Sequence, residues 1–137
     1  MPLDPQAEVI LGLIKQAGLP EMWQLTPDQA REQYALRVAK LADALPRKPS
    51  GFAIAKQMAR SGTSAAANYR AACLARSKAE FIAKAGDCLK EIDETGYWLE
   101  LLVDEGFVPE RRMRSLLQET EELIAIFTSI VKRSKGE

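Results

Sequence analysis

The chain of 137 residues contains no histidine. That absence removes the usual general base near neutral pH, every Ser-His-Asp or Cys-His arrangement, and the Glu-x-x-His pairs of carboxylate di-metal bundles. Cysteine is scarce. Cys73 and Cys88 both sit at helix-spaced positions dominated by small or apolar residues, so buried free thiols are expected rather than a disulfide. Glycine-rich phosphate loops, Cys/His metal spacings, HGGG segments and G-x-S-x-G elbows are all missing. No segment reads as a strand. No apolar run approaches the length of a membrane span, and no basic, apolar, then small-residue leader opens the chain, so a cytoplasmic location without membrane contact is expected. These absences assign no catalytic, cofactor-binding or metal-ligating residue, and they point away from an enzyme with a cofactor or a small-molecule substrate.

An excess of either charge is lacking too, with 19 bases against 19 acids, yet the charges are not mixed. Residues 1–36 hold five acids and two bases, net −3; residues 37–90 hold eleven bases and three acids, net +8; residues 91–137 hold eleven acids and six bases, net −5. Helices built this way can pair a basic face with an acidic one, within or between subunits. Alternatively, a basic strip could meet phosphates.

What the chain does have is helical periodicity. Asp4-Pro5 opens a first stripe (Ile10, Leu13, Ile14, Ala17) that Gly18 stops, which predicts an N-terminal helical extension over residues 1–25. Thr26 and Gln29 stand at capping-box spacing ahead of Tyr34, Val38, Leu41 and Leu45. Pro46 to Ser50 makes the turn, and Ser50 is the candidate cap of a long second helix that ends near Arg76. Ser77 with Glu80 caps a third, whose stripe is Phe81, Ala85, Cys88, Ile92, Thr95, Leu99 and Leu102. Gly106 to Pro109 leads into the fourth, striped by Met113, Leu117, Thr120, Ile124, Phe127 and Val131, with Leu116, Leu123 and Ile130 alongside. Four helices with short connections and heptad spacing predict an all-α fold. Its form is an antiparallel up-down four-helix bundle over residues 26–134.

The second helix carries more apolar surface than one buried stripe needs. Ile54, Met58, Ser61, Ala65, Asn68, Ala72 and Ala75 form one face, which places Ser61 and Asn68, with Thr95 of the third helix, in a buried polar layer. Such a layer would either set register or line a polar pocket. The neighbouring row, Ala55, Ala59, Gly62, Ala66 and Tyr69, is nearly all small and is the candidate oligomer interface, because interaxial distance follows side-chain size. Lys56, Arg60, Arg70, Arg76, Lys78 and Lys84 are the candidate contacts to nucleic acid, although no aromatic residue is interleaved with them for base stacking. The carboxylates Glu91, Asp93, Glu94, Glu100, Asp104 and Glu105 mostly lie off the core stripe and read as a solvated or subunit-facing surface.

Leu45-Pro46, the run from Arg60-Ser61-Gly62-Thr63-Ser64 to Ala67-Asn68, and Ser77 to Leu99 with Phe81, Lys84, Lys90-Glu91, Glu94 and Trp98-Leu99 resemble the four-helix-bundle proteins named for intervening sequences in 23S ribosomal RNA genes. The resemblance spans roughly residues 35 to 133. It implies a ring-shaped homopentamer with no enzymatic activity, and a related protein serves retroelements as a nucleic-acid-binding accessory factor. That family usually carries Glu three positions after the Asn, where this chain has Ala71. Pro2-Leu3-Asp4-Pro5-Gln6-Ala7, Gly18-Leu19-Pro20, Leu25-Thr26-Pro27 and Ala30-Arg31 are similar to the cap helices of hormone-sensitive-lipase-type esterases, without their catalytic residues. Two resemblances meeting near Tyr34 imply either a fused chain or chance similarity in an amphipathic hairpin. The expected function is a homo-oligomeric scaffold whose partner is itself, with a nucleic-acid-binding ring as the alternative.

Overall fold

The computed structural model describes residues 34–136, and among them there are four α-helices and no strand. They are α1 (Leu36–Asp43), α2 (Pro49–Cys73), α3 (Lys78–Asp104) and α4 (Glu110–Ser134). The segment before Tyr34, which includes the expected extension and the start at Thr26, lies outside the described residues.

Each boundary has a local cause. Two prolines, Pro46 and Pro49, separate α1 from α2. The cap of α2 is Lys48, extended at φ −120° and ψ 156°, with Pro49 in the first turn, where its fixed φ suits the helix and its missing N–H costs nothing. Ser50 is therefore inside the helix and not its cap, because Pro49 takes the first helical place two residues earlier than a Ser50 cap would put it. α2 stops at Cys73, three residues before Arg76. The capping box forms as the sequence predicts on one side: Glu80 N–H donates to Ser77 Oγ at 3.0 Å. The return bond from Glu80 reaches the backbone N–H of Arg76, at 3.2 Å, instead of that of Ser77. α3 ends in a Schellman motif, with Gly106 at φ +75°, its N–H on Val103 O at 3.0 Å, and Phe107 N–H on Leu102 O at 3.0 Å. α4 starts with Glu110 and ends with Lys132 and Arg133, each charge at the end its dipole favours.

Short turns make consecutive helices antiparallel neighbours: α1 packs on α2, α2 on α3 and α3 on α4. α1 also touches α4 through an Arg37–Glu119 ion pair, and Tyr34, two residues ahead of α1, shares a hydrogen bond of 2.7 Å with Thr120. The result is an up-down bundle. Its core includes Val38, Met58, Ala65, Tyr69, Cys88, Ile92, Leu99, Leu102, Met113, Leu123 and Phe127, all buried. Tyr69 meets Phe127 edge-on, ring centroids 5.8 Å apart.

The α3 stripe is buried at every expected position. The α4 stripe is shifted. Leu116, Leu123 and Ile130 are buried with Met113, Thr120 and Phe127, whereas Leu117, Ile124 and Val131 are only half-buried. Both rows fit a helical period; the positions of α1 and α3 decide which one faces inward.

Candidate functional site

All four helices meet at one level in a belt of hydroxyls and glycines. Ser61 of α2 and Thr95 of α3 are fully buried, and their hydroxyl oxygens lie 2.7 Å apart. Thr95 Oγ1 also donates to the Glu91 carbonyl at 2.8 Å, and Ser61 Oγ reaches the Met58 carbonyl at 3.2 Å, so neither hydroxyl is stranded. The next residue on each helix is a glycine. A Cβ on Gly62 would stand 2.7 Å from Val38 Cγ1, and a Cβ on Gly96 would stand 3.1 Å from Thr120 Cγ2. Thr120 closes the belt: it bonds Tyr34, just ahead of α1, and donates to the carbonyl of Leu116 on its own helix at 2.7 Å. Burial pushes the Tyr34 phenol well above its ordinary range, so it stays neutral.

Asn68 does not join this layer. It is half-buried and its amide donates to the Ser64 carbonyl at 3.0 Å and to Ser64 Oγ at 3.3 Å, one turn back on its own helix. Heptad spacing places Asn68 in line with Ser61, but the inward direction of α2 there is taken by Ala65, Tyr69 and Ala72. Conversely, Glu119, which the apolar stripes do not include, is buried on α4, with one carboxylate oxygen paired to Arg37 and the other without a partner among the described residues.

The small row of α2 divides. Gly62, Ala66 and Tyr69 are buried within the chain's own bundle, Gly62 under Val38 and Tyr69 against Phe127. The missing side chain at Gly62 lets Val38 of α1 approach α2 closely. Ala55 and Ala59 are half-buried and line an open hollow with Leu45, Pro46 and Phe52.

The basic residues are also split. Arg60 spans the α2–α3 surface and pairs with Glu94 and, at 3.3 Å, with Glu91; the bond to Glu94 above all holds its guanidinium charged beyond its ordinary range. Lys56, Arg70, Arg76 and Lys78 are exposed, and Lys84 is half-buried. Lys56 stands one turn from Arg60 on α2, whereas Arg70, Arg76, Lys78 and Lys84 lie toward the α2–α3 turn, so the bases fall into two groups along the helices. Among the described residues no group of His, Cys, Asp or Glu is placed to hold a metal ion. The thiols are free. Cys88 is buried and Cys73 half-buried, and burial pushes the Cys73 thiol up to about 11, eased by its hydrogen bond to Tyr69. No helix among the described residues is long and apolar enough to cross a membrane.

A family model described as 23S rRNA-intervening sequence protein matches residues 24–129. That span starts inside the stretch that resembles esterase cap helices. Among solved structures, a protein of unknown function from the S23 ribosomal protein family of Bacteroides thetaiotaomicron is 36% identical, with a TM-score of 0.70, over 78% of this chain and 99% of that one. No curated protein matches the chain.

Proposed function

Because this chain belongs to the 23S rRNA-intervening sequence protein family, a bundle with a filled core and no reactive constellation among its described residues, we propose that it acts as a non-enzymatic scaffold assembled from copies of itself. One observation carries the reading: large hydrophobic side chains remain at the surface of a bundle whose interior is already packed. Phe52 is 59% exposed, Leu74 67% and Tyr97 56%, on helix faces that also present small residues. These groups, with the small residues beside them, are the surfaces through which copies would meet. The family resemblance supports five subunits closed in a ring.

Light scattering on the purified protein tests this. The expected mass at micromolar concentration is about five times that of the chain, as closed cyclic symmetry would give. A monomer under those conditions would overturn the proposal.

A further inference from the structure

The charge asymmetry of the chain is distributed helix by helix. α2 contains no acidic residue in its 25 positions. From residue 91 to 105 on α3, and from 115 to 131 on α4, there is no base. Arg60 settles part of this difference inside the chain through Glu91 and Glu94. Much of the remainder faces outward.

On the basic side, the outward row of α2 runs through Phe52, Lys56, Thr63, Ala67 and Leu74, all exposed. Its ends are large and apolar, while its middle is small enough for another helix to come close. Thr63 spends its hydroxyl on the Ala59 carbonyl at 2.7 Å, which leaves mainly its methyl for a neighbour. On the acidic side, a shallow open groove runs between α3 and α4. Gly96, Leu117 and Ile124 line its floor beside the exposed Tyr97 ring, and Asp93, Glu100 and Glu121 stand along it. Among the described residues no base lines this groove. Leu117 and Ile124 are the residues that helical spacing placed in the core and the bundle left half-covered.

We propose that the α3–α4 groove of one copy receives the outward row of α2 from the next. The groove is apolar within an acidic margin, and the α2 row is apolar and basic without an acid. Each surface therefore fits the other better than it fits itself. A groove-to-groove contact would bring like charges together, and so would a row-to-row contact. The pairing is heterologous, each copy offering a different surface to each neighbour, and such contacts build closed rings or open fibres. This assignment rests on the self-association reading above and names the surfaces that carry it.

Sedimentation of three variants beside the wild type tests the pairing. Ala67→Glu puts a carboxylate on an exposed helical position, so far-UV circular dichroism should stay unchanged while association weakens about tenfold or more, one like-charge contact being ample for that. Asp93→Lys with Glu100→Lys should weaken it similarly from the other side. Combining all three substitutions restores opposite charges and should recover the assembly. If the wild type is oligomeric and neither alteration changes its mass, the assignment of surfaces is wrong and self-association stands. The pairing is equally overturned if both alterations dissociate the protein and their combination does not recover it. A wild type that is monomeric sinks the scaffold reading together with this one.

Discussion

Gly62 and Gly86 show how two glycines inside helices can have opposite roles. A Cβ at Gly62 would meet the stiff, fully buried Val38 at 2.7 Å. Gly62→Ala should therefore destabilise the bundle by about 1–3 kcal/mol, the usual range for overpacking, despite alanine's better helix propensity. Adding Val38→Ala should recover part of the loss, and a double-mutant cycle by chemical denaturation would show coupling of about 1 kcal/mol. Gly86 has open space around its Cβ position. There Gly86→Ala should stabilise by up to about 1 kcal/mol. Equal effects at the two sites would contradict the close approach of α1 to α2. Cys73 offers a test by pH. Its folded thiol is raised to about 11 from 9.0, so the fold favours the protonated form. The corresponding stability is complete below pH 9 and is lost as pH rises through about 11. Cys73→Ala should flatten that alkaline decline in melting temperature. It should not abolish it, since burial raises Cys88 and Tyr69 in the same direction.

At the scale of elements, the connections differ in what holds them. The α3–α4 turn depends on backbone geometry: Gly106 at φ +75° is the position where a Cβ is penalised. Gly106→Ala should cost about 1–2 kcal/mol through strain alone, since nothing crowds the site, and thermal unfolding would measure it. The α2–α3 turn depends on a side chain. Ser77→Ala removes the acceptor for Glu80 N–H and should cost about 1 kcal/mol, whereas Ser77→Asp should be tolerated. The Ser61–Thr95 bond is different again, because both hydroxyls keep a carbonyl partner when the other is removed. Replacing either one by an apolar residue should cost only about 1 kcal/mol, and removing both should cost less than the sum. The pair is better suited to fixing which residues of α2 and α3 face each other than to adding stability.

For the molecule as a whole, the question is whether its bases are spent inside the protein or offered to phosphates. Arg60, in the middle of the basic stretch, is engaged with Glu91 and Glu94. A strip interrupted there should not retard RNA or single-stranded DNA even at about 50 mM salt, where phosphate contacts are strong. Retention that falls steeply with added salt and is lost with Lys56→Ala and Lys78→Ala would instead support the nucleic-acid reading. The charge separation has a second consequence. If basic and acidic faces join neighbouring copies, raising the salt concentration should shift the assembly toward smaller species, since contacts at an exposed rim are screened within about 8–10 Å.

Much of this architecture was written in local signals. Prolines 46 and 49, the Ser77–Glu80 pair and Gly106 act on residues a few positions away, so the breaks between helices could be read without a fold, and the periodic apolar rows told the helical class and the whole buried stripe of α3. The matched span at residues 24–129 agrees with the resemblance carried by Leu45-Pro46, the run from Arg60 to Asn68 and that from Ser77 to Leu99. Other features required the tertiary structure. Helical spacing gives Asn68 and Ser61 equal rank because they stand seven residues apart in one row, and leaves Leu117 and Leu116 undecided because rows one residue apart differ by only about 100° around the axis. The inward direction is set by where the neighbouring helices stand. That is why Ser61 meets Thr95 while Asn68 turns to Ser64, and why Gly62, Ala66 and Tyr69 face their own bundle. Glu119 gave no periodic signal at all, because a carboxylate enters a core stripe only when a partner such as Arg37, 82 positions away in sequence, is brought beside it.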